Sequence, residues 1–381
     1  MKKHLLNDIS SFYSAYDSLI TQGKKVVNSI NENPSSLVEF CKYLEEVRDA
    51  GNRLHVVGMG RSGKVGMLIG ELLKNIGIKV SYLGKSLARP VRENDVVFGV
   101  TGSGWTNFTA NALQDSLKKG ANVIAFTGNS RSIAGRLADS IIEIPQGYSK
   151  TSREQLGRAP LTPMGTMFEL SSLLVGIGVV SGINDGSIVK GFNEGINEVL
   201  SAAEETLSKI KKNEVPIKQF IRNVESFSAK SGKNVYLFGS GLDSIVASMA
   251  SIRFNHLKID IKSSYDWRFR RENDLLIAIS GSGVSTRTLE RVMSAKSVPM
   301  KVISFTSFPK SELAQNSELF IEIEGRTEKT NAYLQQISKL KYFIPSFEYV
   351  TSITLDACVA QLALDLGISE SEMEAEHANI E

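Results

Sequence analysis

Two turns in this chain gather the residue types that hold a phosphate. The first, VVGMGRSGKVG (56–66), breaks an apolar run with glycines set around Arg61 and Ser62. The second, TGSGWTN (101–107), follows the apolar run DVVFGV and carries Thr101, Ser103 and Thr106 around Gly102 and Gly104. Each can aim backbone N–H groups and hydroxyls at an anion lying on a helix N-terminus, where the helix dipole also favours negative charge. Gly60, Arg61, Ser62, Thr101, Gly102, Ser103 and Thr106 are therefore candidate phosphate contacts. Glycine and serine also build ordinary turns and N-caps. Two such turns in one sheet, the second returning as SGSGVST (280–286), favour the phosphate site over that plainer account.

Gly58, Gly60 and Gly63 also fit the G-x-G-x-x-G spacing of a dinucleotide site. That site needs an acidic residue at the end of the second strand, to hold the ribose hydroxyls. KVSYLGK offers none there. The later copy has Asp260 in KIDIKSS, but its glycine turn, GSGLDS, lacks the third glycine. Neither copy carries the whole fingerprint, and the dinucleotide reading is set aside.

The elements that position these turns alternate. LHVVG, KVSYL, DVVFGVT, NVIAFT and SIIEIP are short runs rich in Val and Ile, separated by helical patterns such as GKVGMLIGELLKNIG and TNFTANALQDSLKKG. Strand and helix in turn at these lengths predict an α/β fold with a parallel sheet covered on both faces. Its ligands lie where strands end and helices begin.

The pattern then repeats. ENDVVFGVTGSG (93–104) returns as ENDLLIAISGSG (272–283), six of twelve positions identical, at an offset of 179. The same offset carries VIAFT (123–127) onto VISFT (302–306) and Phe168-Glu169 onto Phe347-Glu348. VVGMG (56–60) pairs with LFGSG (237–241) at an offset of 181. A spacing this long is one domain copied. The domains are expected at 1–195 and 196–381, each led by polar amphipathic helices, with KKNEVP (211–216) as a stretch of linker.

Composition limits the partners. The 381 residues, 42% hydrophobic and 22% charged, suit a soluble two-domain protein, and a formal charge of +3 offers no field for nucleic acid or an anionic membrane. The two cysteines imply no disulfide framework. The N-terminus has no apolar core long enough for a signal peptide, and LSSLLVGIGVVSGI (170–183) is shorter than a bilayer span. A cytoplasmic protein with no nucleic-acid or membrane partner is expected.

GRSG, TGSGWT, GRAPLTPMGTMFEL (157–170) and the C-terminal EHANIE together resemble the sugar isomerase (SIS) domain family, and within it 6-phospho-3-hexuloisomerase, whose single-domain chains end in a similar His-Ala-Asn tail. The resemblance spans nearly all of residues 50–381. It implies two tandem SIS domains, each a five-stranded parallel sheet in a three-layer, flavodoxin-like α/β/α sandwich. It also implies isomerisation between D-arabino-3-hexulose 6-phosphate and fructose 6-phosphate, with neither metal nor organic cofactor.

Moving a carbonyl to the neighbouring carbon requires a base to remove the proton on that carbon, giving an enediol, and a proton to be delivered to the former carbonyl carbon. Glu169 matches the position of the family's base and opens the apolar helix pattern TMFELSSLLVGIGVV. Thr166-x-x-Glu169 also reads as a capping box, in which the carboxylate would serve only its own helix start. Glu348 keeps the acid in IPSFEYV, where no such box exists. The second acid–base group is expected to be a histidine. The resemblance points to His377 in the tail, with His256 in SIRFNHLK as the second choice and its neighbour Arg253 as a candidate substrate contact. His55, inside a strand, is expected in the core.

The family's features are divided between the copies, since the first phosphate turn lies in one and the Arg–His helix and tail in the other. The copies are therefore expected to pack as an intramolecular pseudo-dimer. Ser62, Ser103, Thr106 and Glu169 would form one site, completed by His256 or His377. Ser280, Ser282, Ser285 and Glu348 would form a mirror site, weakened or adapted to another ligand. The expected partner is a sugar phosphate, and the expected assembly a dimer of two-domain chains. Two other functions stay open: an aldose–ketose isomerase for another sugar phosphate, and a non-catalytic sugar-phosphate sensor, although residues 1–50 show no helix-turn-helix.

Overall fold

The computed structural model describes residues 8–145, 165–227, 232–262, 264–328 and 343–376. The first half runs α1 (Ser10–Glu32), α2 (Ser35–Asp49), β1 (Arg53–Val57), α3 (Gly60–Asn75), β2 (Lys79–Tyr82), β3 (Val96–Thr101), α4 (Asn107–Leu117), β4 (Asn122–Thr127), α5 (Ile133–Leu137), β5 (Ser140–Glu143) and α6 (Thr166–Asp185). The second runs α7 (Ile188–Lys212), α8 (Val215–Glu225), β6 (Val235–Gly239), α9 (Leu242–His256), β7 (Ile261–Lys262), β8 (Leu275–Ile279), α10 (Thr286–Lys296), β9 (Lys301–Thr306), α11 (Glu312–Gln315), β10 (Leu319–Glu322), α12 (Ser346–Leu366) and α13 (Glu370–Ala375). The five expected strands of the first copy are all present.

Each half builds one five-stranded sheet. The orders, β2-β1-β3-β4-β5 and β7-β6-β8-β9-β10, are the same topology, and every pairing is parallel. This is the flavodoxin order, whose crevice opens between the first and third strands. Alternate residues serve the two faces. Val96, Phe98 and Val100 of β3 join the large central core, while Val97 joins a small outer cluster with Leu113 of α4 and Ala134 of α5. Sheet and flanking helices thus form the expected three layers twice.

The two halves share their central core. It takes residues from both sheets, from α3 and α9, and from the leading helices. Helix α1 packs on α12 of the other half as well as on α6, and α3 packs on α9. This is a pseudo-dimer with interlocked helices. The junction expected between 195 and 196 lies inside the uninterrupted helix α7, and of the linker expected at 211–216 only Asn213 and Glu214 lie between α7 and α8. Helices α6 and α12 are long and apolar enough to cross a membrane, with mean hydropathies of 1.7 and 1.2, but they form the centre of this core. Cys41 and Cys358 are free and buried.

Part of the repeated END motif is architectural. Asn94 and Asn273 sit at φ 66° and 65°, a left-handed conformation that asparagine tolerates. The following aspartates tie the turn to the first strand of each sheet. Asp95 accepts the amides of Arg53 and Arg92, both at 2.9 Å, and Asp274 those of Asn234 at 2.9 Å and Arg271 at 2.8 Å. His55 is fully buried in β1 with Nε2 3.1 Å from Asp95, which places it in the core as expected.

Candidate functional site

Strands β1 and β3 are neighbours, so the turns that follow them open side by side. A Cβ on Gly63 would lie 2.3 Å from the carbonyl oxygen of Gly58, so these two glycines let α3 start hard against the end of β1. The G-x-G-x-x-G spacing therefore has a packing cause that needs no dinucleotide. Helices α3, α4 and α10 all begin without a side-chain cap, their N-cap residues being Met59, Thr106 and Ser285. Their first-turn amides are left without a side-chain partner, the arrangement that an anion can complete.

The hydroxyls divide into two groups. Thr101 is buried and its Oγ1 accepts the Gly104 amide at 3.2 Å, which holds the turn. Ser62 and Thr106 are half-buried and Ser103 is exposed, and Ser103 Oγ also takes the Trp105 amide at 3.2 Å. The second copy repeats the geometry. Ser282 Oγ accepts the Val284 amide at 3.3 Å and lies 3.4 Å from Ser280 Oγ.

Glu169 does not form the capping box that its sequence allows. Helix α6 is capped by Gly165, at φ 77° and with no side-chain cap bond. The Glu169 carboxylate instead meets two guanidinium groups at Oε2: an ion pair with Arg61 Nε at 3.1 Å and a hydrogen bond from Arg253 Nη2 at 3.0 Å. Arg61 also donates to both oxygens of Asp356, at 3.0 and 2.5 Å. Two arginines and two carboxylates, two from each half, thus close a neutral cluster across the pseudo-dyad. Burial disfavours the Arg61 charge, but Asp356 and Glu169 more than offset it and hold its pKa above the ordinary value. Arg253 falls to about 10, through burial and then the like charge of Arg61, and stays protonated at neutral pH.

This corrects the expected role of two residues. Arg61 and Arg253, read from the sequence as phosphate or substrate contacts, are 4% and 2% exposed, with their charged ends turned to Glu169 and Asp356. Both meet the glutamate at Oε2. Asp356 was not foreseen, although a carboxylate within the apolar pattern of α12 was a signal that could have found it.

In the second half the elements enclose a cavity of about 500 Å³. Ser280, Gly281, Ser282, Ser285, Asp243, Arg326, Phe343 and Glu348 line it from their own half, and Met67, Glu71 and Asn75 of α3 close it from the other. The sequence-predicted residues Ser280, Ser282, Ser285 and Glu348 are thus brought together. Arg326 Nη2 donates to Glu348 Oε1. Asp243 Oδ2 faces the Gly281 amide at 3.4 Å. Burial, and then the charge of Glu348, push Asp243 well above the usual carboxylate range, with Arg326 pulling the other way. Burial also raises Glu348, opposed by Arg326. Asp243, Arg326 and the α3 wall were missed in the sequence. The offset of 181 sets Asp243 on Ser62.

The same offset sets His256 on Asn75. Asn75 lines the second-half cavity from α3, and His256 is 4% exposed at the end of α9. His377 and the whole of GRAPLTPM (157–164) lie outside the described residues, as does His4.

Comparison with known proteins bears on both halves. The family model described as SIS domain matches residues 46–167 and 229–344. An uncharacterized protein from Aeropyrum pernix is 35% identical over 164 residues, covering 41% of this chain and 77% of the relative. A 3-hexulose-6-phosphate isomerase from Mycobacterium gastri is 29% identical over 117 residues, 31% of this chain and 57% of that protein. Among solved structures, tagatose-6-phosphate ketose/aldose isomerase from Escherichia coli superposes with a TM-score of 0.65 at 13% identity, covering 94% of each chain. That likeness is one of fold.

Proposed function

We propose that this chain, which belongs to the SIS domain family, is a phosphosugar isomerase working through an enediol, with 3-hexulose 6-phosphate and fructose 6-phosphate as its first substrate pair. One observation carries the reading: Glu169 is buried at the head of a core helix, free of its own helix start and aimed by two arginines. The names of the relatives from Mycobacterium gastri and Bacillus subtilis, both 3-hexulose-6-phosphate isomerases, support the choice of pair.

In this reading the uncapped starts of α3 and α4, with Ser62, Ser103 and Thr106, take the phosphoryl group, and Gly60 and Gly102 let the backbone approach it. The phosphate anchors the sugar with its carbonyl carbons beside Glu169. Glu169 Oε1 removes the proton from the carbon next to the carbonyl, while Oε2 stays on the arginines. The enediol forms as the carbonyl oxygen gains a proton, and Glu169 returns its proton to the neighbouring carbon. His256 or His377 handles the oxygen protons. No redox partner or metal enters these steps.

The test is direct. Incubation with 3-hexulose 6-phosphate should yield fructose 6-phosphate, followed by a coupled enzymatic assay, and a panel of aldose phosphates run alongside tests the aldose–ketose alternative. Binding without conversion of any member would leave a sensor and remove the isomerase reading.

A further inference from the structure

The second-half cavity has the position of a phosphate site, but the groups that would hold a phosphate there are already taken. Asp243 stands where the first half has Ser62, and its Oδ2 occupies the amide of Gly281, the counterpart of Gly102. A carboxylate here takes the place that a phosphoryl oxygen would fill. Glu348 adds a second carboxylate, and Arg326 is the one cation among the residues that line the cavity, already engaged with Glu348. Glu71, on the facing wall, is held by Lys74 and by the Tyr82 hydroxyl, both at 2.7 Å. A phosphoryl group entering this space finds the Gly281 amide already taken by Asp243 and the lining guanidinium already paired with Glu348.

The cavity is nevertheless built to bind. Asp243 Oδ1, Glu348 Oε2 and Arg326 Nη1 are buried with no hydrogen-bond partner among the described residues. Their side chains are at least nine-tenths buried and line the same cavity of about 500 Å³. Buried polar atoms left open are costly unless a ligand completes them. Two carboxyl groups, a guanidinium donor and the hydroxyls of Ser282 and Ser285 match the alternating donors and acceptors of a polyol. The size suits a small ligand.

We propose that the second-half cavity binds a sugar or polyol without phosphate, whose hydroxyls complete Asp243, Glu348 and Arg326. The contrast with the first half rests on the phosphosugar reading above. The proposal about the second half does not.

Equilibrium dialysis of the full chain separates the two. With fructose, glucose and sorbitol as probes, at least one should bind at one equivalent per chain. Asp243→Ala should weaken it at least tenfold, and so should Asn75→Trp, which fills the cavity from the opposite wall and keeps the loops intact. With fructose 6-phosphate, Asp243→Ser should hold one equivalent more than the unaltered chain, because the substitution restores the first half's hydroxyl. Binding of none of the three probes, an unchanged affinity in both Asp243→Ala and Asn75→Trp, or two equivalents of fructose 6-phosphate on the unaltered chain would overturn the proposal. Failure of the isomerase reading shows elsewhere: no turnover, and one equivalent fewer of fructose 6-phosphate on both proteins, with the difference of one preserved.

Discussion

The two glutamates at the heads of α6 and α12 share a place in the repeat and little else. Glu169 is held from across the pseudo-dyad, by Arg253 and by an Arg61 that is itself clamped to Asp356. Glu348 is held from its own half by Arg326, with Asp243 as an acidic neighbour. The positions matching Arg61, Arg253 and Asp356 are Leu242, Leu72 and Ile177, so the ionic cluster has an apolar counterpart on the other side. A duplicated domain can thus keep one buried glutamate twice while giving each copy a different electrostatic setting. The setting decides what each copy can do.

The largest expected difference is in turnover. Glu169→Gln should cut kcat about 10²–10⁴-fold, the usual contribution of a positioned base, while Glu348→Gln leaves it nearly unchanged. Equal losses would erase the distinction drawn between the halves. Next is stability. Asp356→Ile, which installs the residue of the matching position, leaves Arg61 buried with one partner and should cost about 3–5 kcal/mol by urea unfolding. Adding Arg61→Leu should recover part of that loss, because the orphaned charge is removed along with its partner. If the double variant is as unstable as the two single losses summed, the cluster is not acting as a unit.

A narrower comparison concerns the facing helices. His256→Asn gives α9 the residue that α3 carries at Asn75, and should lower kcat by about 10²-fold with KM little changed if the imidazole serves the sugar oxygens. An unaltered kcat would leave that role to His377. The smallest effect is in pH dependence. In the folded chain Asp243 holds its proton more tightly than in the unfolded one, so stability should fall as pH rises from the ordinary carboxylate range through the raised value. Asp243→Asn should flatten that slope. A variant that loses stability with rising pH just as steeply would show that Asp243 is not the group responsible.

How far the sequence carried these conclusions depended on range. The strands, their parallel order and the repeat follow from short-range patterns, the spacing of Val and Ile and the recurrence of END and GSG, which local sterics and burial enforce. The site was legible where both copies keep a residue type, as with Glu169 and Glu348 or Ser103 and Ser282. It was not legible where the partner comes from the other half. Arg61 looked like a phosphate contact because it neighbours Ser62, yet its side chain is claimed by Asp356, 295 residues away. Asp243 was hidden because GSGLDS reads as a degraded glycine turn until it is laid over GMGRSG. Arg326 follows β10 with no pattern around it, and only the fold brings it to Glu348.

The account depends on Glu169 moving a proton at carbon, and proton exchange reads that step without needing the right product. Incubated with fructose 6-phosphate in heavy water, the unaltered chain and Glu348→Gln should both place deuterium on the carbon beside the carbonyl, seen as loss of that proton's NMR signal, and Glu169→Gln should place none. Exchange by Glu169→Gln at the rate of the unaltered chain would contradict the account.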